Sequence, residues 1–236
     1  MQTFTRSSTY KESGILRGSI DWHSHILYGV DDGIKTIEES LATLAFEEAI
    51  GITDIWCTPH IMEEVPSETD MLKERFGKLV HEYSGMISLH LGAEYMMDGL
   101  LVSRLSCGDI ITMGHDMILV EFSCAGAPYG YEEILSGIMS EGLRPMLAHP
   151  ERYPFLSTDD YRRLHEMGVL FQLNLASLTG WYGKDVRKRA ESLLRTETYH
   201  VYGSDCHSLR TLIHQYSQMS VSRDMLRRVA SLDDNI

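Results

Sequence analysis

The sequence predicts an α/β fold in which parallel strands close into a barrel. Seven short apolar runs alternate mostly with segments of helical period, the order expected of successive βα units. Most of these runs end, on their C-terminal side, in His, Asp or Glu, where the loops of a parallel barrel carry function. The 236 residues are 43% hydrophobic with six prolines, enough for one well-filled core, and α/β barrels of this length usually stay single domains. Residues 19–236 are therefore expected to form one domain finished by a C-terminal helix, preceded by an extension over residues 1–18.

Residues 1–18 are polar, lack an apolar period, and read as a flexible or docking arm. The first strand runs into Asp21-Trp22-His23-Ser24-His25. Alternation along a strand puts Asp21, His23 and His25 on one side, so both imidazoles can reach one ion. Asp21 then either orients an imidazole or simply opens the strand. A turn-rich loop over 26–33 carries the pair Asp31-Asp32, whose plainest role is turn chemistry. Thr36 and Glu39 form a capping-box pattern, and Ile37, Leu41, Leu44, Ala45 and Ala49 recur at helical spacing up to Gly51. A strand over 53–57 leads to Thr58-Pro59-His60, residues 68–83 form a charged helix, and a strand over 87–91 opens into Gly92-Ala93-Glu94. Residues 100–114 give no clear period and leave room for an irregular excursion. The apolar strand 117–120 delivers Glu121, a charge that needs a partner if buried. Helix 131–142 precedes strand 144–148, which runs into His149-Pro150-Glu151-Arg152. Helix 159–167, strand 169–173, a loop over 174–183 and helix 184–195 lead to the last strand, 199–203. That strand ends in Ser204-Asp205-Cys206-His207, and Leu226 and Val229 mark a closing helix before a frayed tail.

Composition narrows the function. No run approaches the roughly eighteen apolar residues of a membrane span, and the first residues lack the apolar core of a secretory signal, so a soluble cytoplasmic protein is expected. The four cysteines, Cys57, Cys107, Cys124 and Cys206, form no CxxC pair and are expected as reduced thiols. None has the arginine six positions on that a phosphate-cradling cysteine loop would need, which disfavours a cysteine-dependent phosphatase. A formal net charge of −13 disfavours nucleic-acid binding, and eleven histidines in so acidic a chain point to metal ions.

The candidate ligands are His23, His25, His60, Glu94, Glu121, His149, Asp205 and His207, all at or just past strand ends, which a parallel barrel gathers at one rim. Each alone has a mundane reading, such as a cap, a surface acid or a packed imidazole. Eight at equivalent positions do not. Imidazole mixed with carboxylate suits manganese, iron or zinc, and there are too many donors for one tetrahedral ion, so two or three ions are expected. His81, His90, His115, His165, His200 and His214 fall elsewhere and are assigned to surface or packing. Cys206 is expected to face away from Asp205 and His207 as a packed thiol.

The stretches IDWHSHILYGVDDG, TPH, GAE, LVEF, LAHPERY and GSDCH, in this order over residues 19–210, resemble the polymerase and histidinol phosphatase (PHP) family. Their wording is most similar to its bacterial protein-tyrosine-phosphatase branch, associated with capsule and exopolysaccharide synthesis alongside a tyrosine kinase. The resemblance implies a distorted seven-stranded (β/α)7 TIM-like barrel holding three divalent ions, manganese or iron, with zinc the alternative. It places His23, His25, Glu94 and Asp205 on one ion. Glu94 bridges to a second held by Glu121 and His149, and His60, His207 and an aspartate of the Asp31-Asp32 pair hold the third. Asp32, directly before Gly33, is the preferred ligand of that pair. It also implies that an arginine after the last DxH helps hold phosphate; Arg210 is the nearest, at a shorter offset than usual.

Three divalent ions outweigh four carboxylates, leaving a positive site that matches a phosphomonoester dianion. The expected chemistry is in-line attack on phosphorus by a hydroxide from a metal-acidified water, with Arg152 adding charge to the transition state and no phosphoenzyme. A phenol leaves with a pKa near 10, so a site without a strong general acid favours phosphotyrosine. The expected partner is a phosphotyrosine-bearing protein such as the kinase of polysaccharide assembly. The alternatives are a phosphatase of histidinol phosphate or a sugar phosphate, and a non-catalytic partner of that kinase.

Overall fold

In the computed structural model the described residues are 7–232. In chain order the elements are β1 (Ser7–Ser8), α1 (Tyr10–Ser13), β2 (Ile20–Ser24), α2 (Ile37–Ile50), β3 (Asp54–Cys57), β4 (His60–Ile61) and α3 (Thr69–Glu82). Next come β5 (Ser88–Leu91), β6 (Glu94–Met96), α4 (Gly99–Cys107), β7 (Met117–Glu121), α5 (Tyr131–Ser140), β8 (Arg144–Ala148) and a 3-10 turn at Pro150–Arg152. The chain ends with α6 (Thr158–Met167), β9 (Leu170–Asn174), α7 (Leu175–Thr179), α8 (Lys184–Arg195), β10 (Val201–Gly203), α9 (Leu209–Ser217), β11 (Val221–Ser222) and α10 (Arg223–Val229).

The fold is mixed α/β with a parallel half-barrel sheet. Six strands pair in the order β10-β9-β8-β7-β6-β4 and three more in the order β2-β3-β5. β4 and β6 resume the courses of β3 and β5 after breaks at Thr58-Pro59 and Gly92-Ala93, so both chains step from the smaller sheet into the larger one. At the opposite edge Ser24 bridges in parallel to Cys206, Asp205 N–H donates to His23 O at 2.8 Å, and His25 N–H donates to Cys206 O at 3.1 Å. These bonds bring the ends of β2 and β10 side by side.

Side-chain alternation places an apolar floor beneath the strand tips. Met117 and Leu119 of β7, Met146 and Ala148 of β8 and Val201 of β10 form a cluster with Met113, flanked by Trp22, Trp56 and Leu170. The intervening Ile118, Val120 and Leu147 belong instead to the larger core shared with the helices. One strand face therefore carries apolar residues low down and Glu121 at its tip.

Three segments depart from the sequence reading. Residues 99–107 form a helix capped by Asp98, whose carboxylate accepts from Leu101 N–H; the run Gly-Leu-Leu-Val hides its period because apolar residues lie on several faces. The expected loop after β9 contains α7, whose five residues are all buried and which Asn174 caps. Before the closing helix lies a further one, α9, capped by Ser208.

The described part of the N-terminal arm is docked. β1 pairs antiparallel with β11, Tyr10 is fully buried, its hydroxyl donates to Leu175 O at 2.8 Å, and its ring packs 5.2 Å from that of Tyr216. Residues 1–6 and the expected frayed tail over 233–236 lie outside the described residues. Among the described residues all four cysteines are free thiols, and no helix is long and apolar enough to cross a membrane.

Candidate metal centre

β2 delivers the first two imidazoles, through an irregularity. Its register against β3 shifts between Asp21 and Ser24, so regular alternation fails there. Trp22 packs on the interior floor, His23 turns toward the strand tips, and Asp21 lies on the helix side with Glu47, Tyr216 and Cys206 as electrostatic neighbours. The expectation that Asp21 shares a face with the histidines is thereby corrected. Among the described residues its carboxylate makes no hydrogen bond to an imidazole ring. Its Oδ1 accepts from the backbone N–H of His23 at 3.2 Å and of Ser204 at 2.8 Å, tying the two ligand-bearing strand ends together.

Nine predicted ligand residues converge. His23 Nε2 and His25 Nε2 lie 3.0 Å apart, each 3.2 Å from Glu94 Oε2, and at 3.6 and 3.4 Å from Asp205 Oδ1. Glu94 Oε1 reaches His149 Nε2 at 3.1 Å, with Glu121 Oε2 at 3.8 Å from the same nitrogen. His60 Nδ1 lies 3.0 Å from Glu94 Oε2 and 3.1 Å from Glu121 Oε1. Asp32 Oδ1 stands 3.6 Å from His60 Nε2 and 3.4 Å from His207 Nε2. His60 thus faces two groups of donors through its two nitrogens.

The donors fit divalent ions. Buried His60 Nδ1, Glu94 Oε2 and Glu121 Oε1 have no partner of hydrogen-bonding geometry, although the His60 nitrogen lies 3.0 Å from the Glu94 oxygen and 3.1 Å from the Glu121 oxygen. Polar side chains that crowd together at this spacing in a buried place are suited to sharing a cation. Three groups of donor atoms close enough to hold an ion overlap: His25, Asp32, His60 and His207; His23, His25 and Glu94; and His60, Glu94 and Glu121.

Two of the candidate ligands sit on left-handed backbone. His149 (φ 34°) and Asp205 (φ 52°) adopt conformations uncommon for residues with a side chain. Since Met146 and Ala148 already face the interior, a continued strand would turn His149 toward the helices; the left-handed step re-aims it at Glu94. Gly203 supplies the close approach of β10 to β2, where a Cβ would stand 2.5 Å from that of His23.

The candidate ligands are oriented from behind. Gln172 Oε1 lies 3.0 Å from His23 Nδ1 and accepts from His149 N–H at 3.2 Å. Asp31 Oδ2 lies 2.8 Å from His25 Nδ1 and accepts from His60 N–H at 2.9 Å, while its Oδ1 accepts from Gly33 N–H at 2.9 Å. The aspartate pair therefore divides: Asp31 is buried behind the imidazoles and Asp32 projects over them. Asn174 Nδ2 donates to Asp205 Oδ2 at 2.7 Å. Neither Gln172 nor Asn174 was assigned a role from the sequence; the available signal was a polar pair inside the otherwise apolar Leu-Phe-Gln-Leu-Asn strand.

Electrostatics follow from this crowding. Burial alone would lift the pKa values of Glu94 and Asp205, yet the surrounding histidines hold both well below the usual carboxylate range. Burial would lower His60, but Glu94 and Glu121 outweigh it and push it up to about 10. Asp31, buried but bonded to His25, falls to about 2.

Arg152 stands beside this cluster. Its Nη1 lies 3.0 Å from Asp205 Oδ2, and its guanidinium sits 4.7 Å over the Tyr182 ring. Arg210 does not join it. The side chain is exposed in the first turn of α9, lines a separate surface groove with Trp181 and His214, and among the described residues makes no ion pair or side-chain hydrogen bond. Cys206 is buried and its thiol faces Ser208 O, away from the ligands.

The comparisons with known proteins converge on one family. The profile described as "Capsular polysaccharide synthesis, CpsB/CapC" matches residues 19–230. Tyrosine-protein phosphatase CpsB of Streptococcus pneumoniae is 34% identical over 206 residues, covering 80% of this chain and 83% of that protein. Putative tyrosine-protein phosphatase CapC of Staphylococcus aureus is 27% identical over 197 residues, covering 80% and 77%. A solved structure from work on Bacillus subtilis YwqE and S. pneumoniae CpsB, described as unique metal-dependent tyrosine phosphatases, superposes with a TM-score of 0.72 at 25% identity, covering 82% of this chain and 81% of that one. The profile match runs through every ligand-bearing strand end, from the β2 histidines to His207, and the chain is a member of the capsular polysaccharide synthesis CpsB/CapC family.

Proposed function

We propose that the protein is a metal-dependent protein-tyrosine phosphatase that removes phosphate from a tyrosine of a protein in capsule or exopolysaccharide synthesis. The convergence of His23, His25, Asp32, His60, Glu94, Glu121, His149, Asp205 and His207 carries this reading. The relatives named as tyrosine phosphatases give it its substrate class. A bacterial tyrosine kinase of polysaccharide assembly is the proposed partner, and the cytoplasm its place of action.

The set of donors suits three divalent ions, manganese or iron, with zinc the alternative. The three overlapping groups support that number, with one refinement: His25 and His60 each face two groups, so the division into separate ligand sets is softer than the resemblance implied. Bound there, such ions supply Lewis-acid charge to the phosphoryl oxygens and acidify the attacking water. The chain's own residues do the rest. Gln172 and Asp31 fix the ring orientations and tautomers of His23 and His25. Arg152, anchored by Asp205 and Tyr182, keeps further guanidinium N–H groups to hold a phosphoryl oxygen. No side chain is needed as a strong general acid, because a phenolate leaves readily near neutral pH.

Counting β3 with β4 and β5 with β6 as single interrupted strands gives seven, which supports reading the half-barrel as a distorted seven-stranded (β/α)7 barrel closed by the Ser24–Cys206 bridge. We read residues 19–236 as its one domain, with the described part of the preceding arm, from Ser7 on, packed on its outside.

Replacing His23 and His25 together by Ala tests the reading. Elemental analysis is expected to show metal loss, with turnover of a phosphotyrosyl peptide down by at least about a thousandfold. Full activity and metal content in that variant would refute it, and wild-type preference for histidinol phosphate over the peptide would move the assignment to a small-molecule phosphatase.

A further inference from the structure

Beside the metal centre two cavities adjoin. The inner one, about 320 Å³, is lined by Arg152, Tyr182, Asp205 and His207 and so opens directly on the candidate ligands. The outer one, about 970 Å³, runs along α9 past Arg210, Ile213 and His214. Trp181 and Thr211 line both. Trp181 is large, apolar and 43% exposed, and its ring meets that of His214 edge-on at 5.8 Å. It stands on a tight turn between α7 and α8, where Gly180 (φ 86°) and Gly183 (φ 96°) take left-handed conformations and Gly183 N–H donates to Gly180 O. The turn fixes an indole face between the two spaces.

The inner cavity has room for a phosphorylated aryl side chain. The outer one is superfluous for a small phosphate ester, since it holds none of the proposed metal ligands and lies beyond the indole. In a chain of net charge −13, Arg210 is a cation with no ion pair among the described residues, while Glu39 across the groove is engaged with the Leu209 N–H at 3.3 Å. His214 is likewise bonded to Gln218 at 2.8 Å.

We infer that the groove along α9 seats the polypeptide flanking the phosphotyrosine, with Trp181 packing on the substrate at the mouth of the inner cavity and Arg210 selecting an acidic flanking residue. This rests on the phosphotyrosine reading of the metal centre. It gives Arg210 a role in choosing the protein substrate, outside the phosphoryl site.

Three substrates test it on the metal-loaded full chain: a phosphotyrosyl peptide with Asp and Glu flanks, one with Lys flanks, and 4-nitrophenyl phosphate as the reference that cannot reach the groove. Wild-type protein is expected to favour the acidic peptide. Arg210→Glu is expected to shift the acidic-to-basic ratio of kcat/KM by about fivefold or more toward the basic peptide, through KM. Trp181→Ala is expected to lower both peptides relative to the reference measured on the same variant. Peptide ratios that stay at wild-type values in both variants, with wild-type metal content, would overturn the inference alone. Wild-type protein that hydrolysed neither peptide would overturn the phosphotyrosine reading and this inference with it.

Discussion

Asp31 and Asp32 are adjacent in sequence and alike in chemistry, yet one backs an imidazole from a buried position and the other projects over the metal centre. A carboxylate that receives the far nitrogen of a ligating histidine fixes its tautomer and ring plane, and losing such a partner typically weakens metal affinity about 10- to 100-fold. Asp31→Ala is therefore expected to lower metal affinity by that factor, read by titrating the stripped protein with Mn(II), while the fold is kept. Gln172→Ala should act in the same direction through His23. The residue types that converge at the strand tips were legible in the sequence, because imidazole and carboxylate at successive strand ends have few other reasons to recur. Which of two neighbouring aspartates faces inward was not, because it depends on the turn that Gly33 allows, where a Cβ would stand 2.5 Å from that of His25.

Among the elements, β2 carries the largest departure from sequence logic. Period-two alternation assigned Asp21 to the histidine face, and a local shift in register overrode it. Its neighbour β10 tolerates only glycine at 203. Gly203→Ala would force a methyl group to within 2.8 Å of the His23 backbone nitrogen, prising the two strands apart. A loss of about 1–3 kcal/mol is expected, read in denaturant unfolding, together with reduced metal content. α2 holds a second consequence. Glu47 falls at the helical spacing of Leu44 and Ile50 and is fully buried beside Asp21, with neither carboxylate oxygen hydrogen-bonded. Burial, then the nearby Asp21, raises its pKa well above the ordinary value of 4.5. The native state thus keeps a proton that the unfolded chain releases, so this residue's contribution declines as pH rises above 4.5. Glu47→Gln is expected to melt higher than wild type at neutral and alkaline pH, by roughly 2–4 °C per kcal/mol gained, with the difference vanishing below pH 4.5.

For the molecule as a whole, the metal centre sets the response to pH and chelation. In metal-free protein the protonated His60, raised to about 10 by Glu94 and Glu121 against the opposing effect of burial, contributes stability that is complete below its ordinary 6.5 and lost as pH climbs toward 10. Bound ions require the same imidazole neutral, so metal affinity moves oppositely and strengthens as the proton leaves. The gap in melting temperature between metal-loaded and chelator-treated protein is accordingly expected to widen from pH 6.5 upward, checked by thermal unfolding of both forms across that range. A constant or shrinking gap would argue against His60 as a ligand.

By itself the sequence determined the α/β class, the order of the seven main strand runs and of most helices between them, and the residue types at the strand tips, because strand and helix periods and tip chemistry are local properties written along the chain. It also carried the family, through motifs whose order survives without any coordinates. Tertiary structure alone decided the rest. The β2 bulge turned Asp21 away, left-handed backbone re-aimed His149, burial separated Asp31 from Asp32, and the α7–α8 turn raised Trp181 between two cavities. Each of these depends on groups far apart in sequence meeting at a few ångströms, and short-range periodicity holds no record of such meetings.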